Sequence, residues 1–148
     1  MKTYFANPKA GFLESKEDIL KAVSRVIEEG DYILGKNVSS FEEEFNTYLG
    51  GRGYFVSCAS GTDAITLAII GNGLPPGSKI MVPSHTASAT IVGILKAGCI
   101  PFYLDVEESS LLVTFKKLKE IAIKEKIKAI VPVHLYGSGV HIPLLKKN

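Results

Sequence analysis

The sequence predicts an α/β protein of three layers, a mostly parallel sheet with helices on its faces. Three observations carry this. From Tyr54 onward, short apolar runs alternate with helix-period segments in the order β-α-β-α-β-α-β. Small and polar residues gather at the carboxyl end of each run, where ligands bind on such sheets. The 148 residues are 46% hydrophobic and 22% charged, an ordinary globular composition at about one domain's length.

The elements follow in order. Ser15-Lys16-Glu17-Asp18 reads as a capped helix start with an acidic first turn. Ile19, Leu20, Val23, Val26 and Ile27 recur at helical spacing until Gly30. A second helix begins after Ser39 or Ser40, with Phe41, Phe45 and Leu49 on one face, and Gly50-Gly51 stops it. These form an N-terminal helical segment over 1–50. The remainder, 51–148, is the α/β part of a single domain. Tyr54–Cys58 reads as a strand, and 63–70 as a helix burying Ala64, Leu67 and Ala68. Residues 79–82 read as a strand cut by Pro83, 86–97 as a small-residue helix closed by Gly98, and 100–104 as a strand. An amphipathic helix over 115–124 turns Leu118, Ile121 and Ala122 inward. Residues 129–135 read as a strand, and 142–147 as the start of another helix that nothing after it completes.

Composition excludes several classes. Seventeen basic residues against fifteen acidic ones leave a net charge of +2, too balanced for a dedicated nucleic-acid binder. Lys116, Lys117, Lys119, Lys124, Lys126 and Lys128 are interleaved with Glu120 and Glu125 and read as a solvated face. No apolar run reaches the roughly 18 residues of a membrane span, and the N-terminus has no signal-peptide pattern. Cys58 and Cys99 form neither a disulfide framework nor a metal-spaced cluster, so a reduced, cytoplasmic protein is expected. His85, His134 and His141 have no Cys or acidic partners at ligand spacing, so no metal is expected.

Ser57-Cys58-Ala59-Ser60-Gly61-Thr62-Asp63-Ala64 is the most informative segment. Small residues, a glycine and a hydroxyl lead straight into a helix, whose free N–H groups and dipole favour an anion. Gly61 admits a phosphate close to the backbone, and Thr62 adds a hydroxyl. A plain helix cap by Ser60, Thr62 or Asp63 explains the same residues. Asp63 stands where a phosphate would bind, which favours a capping role for its carboxylate. Gly71-Asn72-Gly73 follows a helix, and Gly137-Ser138-Gly139 lacks a third glycine, so a dinucleotide fingerprint is not supported. His85 and His134 lie at two strand ends, where each reads as structural or catalytic.

Together these motifs resemble the DegT/DnrJ/EryC1/StrS aminotransferases. The resemblance rests on Tyr32-Ile33-Leu34-Gly35 with Phe41-Glu42-Glu43-Glu44-Phe45, then Ser60-Gly61-Thr62-Asp63-Ala64. It continues through Pro76-Gly77, Val82-Pro83-Ser84-His85-Thr86 with Ala89-Thr90, Pro101-Phe102 with Asp105-Val106, and Val131–Gly137. It implies part of the large domain of the aspartate-aminotransferase fold, with pyridoxal 5′-phosphate (PLP) as cofactor. It implies transfer of an amino group, from glutamate as donor, to a nucleotide-linked keto-sugar in surface-polysaccharide or related pathways, by a homodimer. Ser60, Gly61 and Thr62 would hold the cofactor phosphate. The place of the ring-stacking aromatic, near Ala87, is not aromatic here; His85 is the flat ring nearest to it. His134 would approach the 3-hydroxyl edge of the ring. The family's Schiff-base lysine lies beyond the matched blocks, and no lysine here stands in its Ser-Phe…Lys context. The chain therefore reads as the truncated N-terminal part of a longer enzyme, catalytically incomplete alone. The competing readings are a non-catalytic PLP- or phosphate-binding module or partner subunit, and a Rossmann-like nucleotide binder.

Overall fold

A computed structural model describes residues 6–113 and 115–142. Backbone contacts divide the chain into two compact units, Met1–Ser57 and Cys58–Asn148.

The first unit is helical. α1 (Pro8–Glu14), which sequence periodicity did not reveal, starts with proline in its first turn. α2 (Lys16–Glu29) follows at once, so Ser15 stands at its N-cap, but the serine side chain makes no capping bond. Gly30 ends α2 in the left-handed region, φ 71°, its N–H donating to the Val26 carbonyl. α3 (Lys36–Tyr48) begins a turn earlier than Ser39, because the Asp31 carboxylate accepts the Lys36 N–H at 3.0 Å. A side chain on Gly35 would overlap that carboxylate. Phe45 packs against Phe55 with ring centroids 4.5 Å apart, and Phe41 lies edge-on to Phe55 at 6.1 Å. No residue of α1, α2 or α3 is buried, and the apolar stripe read along α2 is present but only partly covered, with Val26 half-buried.

The expected strand over Tyr54–Cys58 is not formed. Ser57 donates both its N–H and its hydroxyl to the Glu42 carboxylate, each at 2.7 Å. That fixes the segment as loop, with Tyr54 fully exposed. A strand requires a neighbour for its backbone groups, and here the Ser57 amide is satisfied by a side chain.

The second unit runs α4 (Gly61–Gly71), β1 (Lys79–Pro83), α5 (Ser88–Lys96), β2 (Ile100–Leu104), α6 (Phe115–Lys124), β3 (Ala129–Ile130). The sheet is parallel, in the order β2-β1-β3, with Lys79 opposite Ile100 and Ile80 opposite Ala129. It has three strands among the described residues rather than four. β3 is also far shorter than 129–135. Val131 still donates to the Met81 carbonyl at 2.8 Å. The next bond of a parallel ladder would come from the N–H of residue 83, which is proline and has none. The expected helix over 142–147 falls almost wholly outside the described residues.

β1 alternates its side chains between two cores, which makes the unit three-layered. Ile80 and Val82, both fully buried, pack with Ile69 of α4, Ile94 of α5 and Cys99. Met81 points the other way, to Leu104, Leu118 of α6 and Ile127. α6 faces inward as expected, with Ile121 and Ala122 against this second core. α4 does not. Ile65, Thr66 and Ile69 face the protein, while Ala64, Leu67 and Ala68 are exposed. Six of the seven residues from Ala64 to Ile70 are apolar, so the buried stripe of α4 cannot be read from periodicity, and the contact with α5 decides it. Cys58 is exposed and Cys99 is buried. Among the described residues, no helix is long and apolar enough to cross a membrane.

Candidate functional site

The start of α4 gathers the Ser60–Thr62 residues as expected. Ser60 is the N-cap in extended conformation, its hydroxyl oxygen accepting the Asp63 N–H at 3.2 Å. The Ser60 carbonyl accepts the Ala64 N–H at 2.9 Å. Of the four amides that open a helix without intrahelical partners, the two at Gly61 and Thr62 have no protein acceptor among the described residues. Nothing lies within 4 Å of the position a Cβ would take on Gly61, so the backbone there is open to approach. Two adjacent free N–H groups at a helix N-terminus, with the dipole behind them, form a seat for an oxyanion.

Asp63 does not cap the helix, contrary to the sequence reading. Its carboxylate accepts the Ser60 hydroxyl at 2.9 Å and pairs with the Lys96 ammonium from the last turn of α5. The Lys96 hydrogen bond, then the Ser60 hydroxyl, hold the Asp63 carboxyl below its ordinary value of 3.8. The carboxylate therefore stays ionised at neutral pH, but its charge is matched by the ammonium beside it. The conflict between an acidic side chain and an anion at the same helix end is resolved by Lys96, which sequence reasoning missed. Nothing in the sequence signals it, because the pair is 33 residues apart.

Gly93 of α5 is the second residue missed. A Cβ there would stand 2.8 Å from Ile65 Cγ2, 2.9 Å from Ile65 Cβ and 3.0 Å from the Thr62 carbonyl oxygen. The Thr66 hydroxyl donates to the Gly93 carbonyl at 3.0 Å. Absence of a side chain lets α5 lie directly against the first turns of α4, and that contact holds the two open amides in place.

The two histidines lie in the loops that follow β1 and β3. His85 Nε2 lies 3.3 Å from the Tyr136 hydroxyl, the rings tilted at 45° with centroids 5.9 Å apart. His134 Nδ1 accepts the Val140 N–H at 2.9 Å. Tyr136 and Gly137 are both left-handed, φ 51° and 80°, at the centre of a tight turn. That turn is closed by Leu135 N–H to the Ser138 carbonyl, 3.0 Å, and Ser138 N–H to the Leu135 carbonyl, 2.8 Å. Among the described residues, no hydrogen bond or ring contact joins this group to Ser60, Gly61 or Thr62. No group of three His, Cys, Asp or Glu suited to a metal occurs among them either.

Residues 13–147 match the DegT/DnrJ/EryC1/StrS aminotransferase family. The chain belongs to that family. It is 35% identical over 135 residues to a UDP-N-acetyl-3-dehydro-α-D-glucosamine 3-aminotransferase of Acidithiobacillus ferrooxidans, covering 91% of this chain and 36% of the relative. Its fold superimposes on Streptomyces venezuelae DesV, solved in complex with a ketimine intermediate, with a TM-score of 0.89. That match has 33% identity and covers 99% of this chain and 39% of DesV. NtdA of Bacillus subtilis, solved with the cofactor PMP bound, superimposes with a TM-score of 0.83 at 33% identity, over 90% of this chain and 30% of NtdA. The chain thus spans between 30% and 39% of the length of these proteins. The three-layer, parallel-sheet unit is accordingly part of a PLP-type aminotransferase fold.

Proposed function

We propose that these 148 residues form the N-terminal part of a PLP-dependent aminotransferase that aminates a nucleotide-linked keto-sugar. Glutamate is the proposed amino donor. The open α4 N-terminus carries the reading: among the described residues the Gly61 and Thr62 amides have no acceptor, and Lys96 pairs with the adjacent Asp63 carboxylate. Membership of an aminotransferase family supports the phosphate of PLP as the ligand proposed for that seat. Its residues fit the group, since a dianionic phosphate needs free N–H donors and an approach unblocked by side chains. Ser60, Gly61 and Thr62 are proposed to bind it. His85, held by Tyr136, is proposed as the flat surface beside the pyridine ring in place of an aromatic near Ala87. His134 is proposed at the ring's 3-oxygen edge. When bound, the cofactor supplies the electron sink for amino-group transfer. The residues here bind and orient; the lysine that amino transfer requires is not among them. By the same inference the parent is a cytoplasmic homodimer serving surface-polysaccharide or related sugar synthesis.

The test is differential binding to the 148-residue chain. PLP and inorganic phosphate are expected to raise its melting temperature, while pyridoxal, which lacks the phosphate, is not. With a UDP-linked 3-keto-sugar and glutamate the chain alone is expected to show no turnover. Equal stabilisation by pyridoxal and PLP would remove the phosphate seat. Turnover by the isolated chain would remove the reading that these residues are catalytically incomplete.

A further inference from the structure

His134 is tied more tightly than an exposed histidine needs to be. Its Nδ1 accepts the Val140 N–H at 2.9 Å, and Val140 is itself buried. An imidazole nitrogen that accepts an amide hydrogen carries no proton of its own, so in the neutral ring the proton resides on Nε2. The intervening turn is closed by two backbone hydrogen bonds and holds Tyr136 in the left-handed region, an uncommon and costly conformation for an aromatic residue. Strain of this kind persists only where the surroundings over-determine it. Here one end of the loop is closed on His134 and its tip meets His85 through the Tyr136 hydroxyl.

We propose that His134 is a locked donor: the Val140 amide fixes it in the Nε2–H form, so it offers a ligand one N–H and no basic nitrogen. It is a positioning residue that selects an acceptor oxygen, phenolic or carboxylate in kind, and takes no part in proton abstraction. The ligand side of this inference rests on the cofactor reading above, where the 3-oxygen of the pyridine ring is the acceptor. The lock itself rests on the 134–140 loop alone.

The experiment is nitrogen NMR on the uniformly ¹⁵N-labelled 148-residue chain, with His134 assigned by its absence in His134→Leu. A scalar coupling between the Val140 amide nitrogen and His134 Nδ1, across the hydrogen bond, is expected, with the ring proton on Nε2. No coupling, or a proton on Nδ1, overturns the lock. PLP is then added, and in parallel its analogue lacking the ring 3-oxygen. PLP is expected to shift both the Gly61 and Thr62 amides and the His134 Nε2 signal; the analogue is expected to shift the amides alone. Movement of the amides without His134 overturns the donor role and leaves the phosphate seat standing. Silence at the amides overturns the cofactor reading, and the donor role with it. His134→Leu is expected to weaken PLP binding about 10-fold, the size of one lost hydrogen bond to a charged acceptor. His134→Gln, which both accepts from Val140 and donates, is expected to recover most of it; equal losses in the two variants would mark the residue as merely structural.

Discussion

Two glycines in neighbouring helices should respond to the same substitution with opposite signs. Gly71 closes α4 with nothing within 4 Å of an added Cβ, so Gly71→Ala gains only the helix term, about 0.5–1 kcal/mol. Gly93→Ala gains that term too, but its Cβ meets Ile65 Cβ and Cγ2 and the Thr62 carbonyl at 2.8 to 3.0 Å. None of these is the free end of a flexible side chain, so α4 and α5 must separate. Overpacking of this kind costs roughly 1–3 kcal/mol, leaving a net loss of about 1 kcal/mol after the helix term is subtracted. The two variants should differ by about 2 kcal/mol, which for a unit of this size is roughly 10 °C in melting temperature. Thermal unfolding followed by far-ultraviolet circular dichroism measures this directly. A Gly93→Ala protein as stable as Gly71→Ala would refute the close α4–α5 approach, and with it the account of how the open amides are held. Because one of the crowded atoms is the Thr62 carbonyl, the same variant should also lose PLP-dependent stabilisation.

Other outcomes follow from the same geometry. Lys96→Met leaves the Asp63 carboxylate unmatched and should weaken phosphate binding; in an Asp63→Asn background the same change should have little further effect, a cycle read by calorimetric titration. Since the folded Asp63 value is lowered, its pairing contributes stability above the ordinary Asp range, and that contribution fades as pH falls through the lowered value. The acid limb of a melting-temperature profile should therefore flatten in Lys96→Met. Gly61→Ala has room for its methyl and should melt within about 0.5 kcal/mol of the parent while losing phosphate affinity, as isothermal titration would show. Ile80→Ala empties a fully buried site of the central strand and should cost about 2–5 kcal/mol in a urea titration.

Legibility from sequence followed the range of the interactions. β1 and β2 were readable because their apolar runs end at Pro83 and after Leu104 in local turn chemistry. The Ser60 cap and the α4 start were readable for the same reason: their bonds close within three or four residues. Tyr54–Val56 has the composition of a strand, yet strand formation depends on a partner, and Glu42 takes the Ser57 amide instead. The inward face of α4 was misread because apolar residues fill most of 64–70 and carry no directional pattern; Gly93, 27 residues from Thr66, sets its rotation. β3 stopped early because of a proline on its neighbour, not within itself. At the site, Lys96 with Asp63 and Tyr136 with His85 are tertiary pairs, and no spacing rule brings them together.

The central position of β1 has a consequence for how the chain exchanges its amide hydrogens with solvent. Among the described strands β1 alone is bonded on both sides, to β2 and β3, and Ile80, Met81 and Val82 are shielded above and below by the two cores. Their amides can open only when both cores open, so they should exchange at the rate of global unfolding of the second unit. α1, α2 and α3, with no buried residue, should exchange by local fraying many times faster. The protein would then display not one stability but a gradient that rises along the sequence to a single five-residue strand.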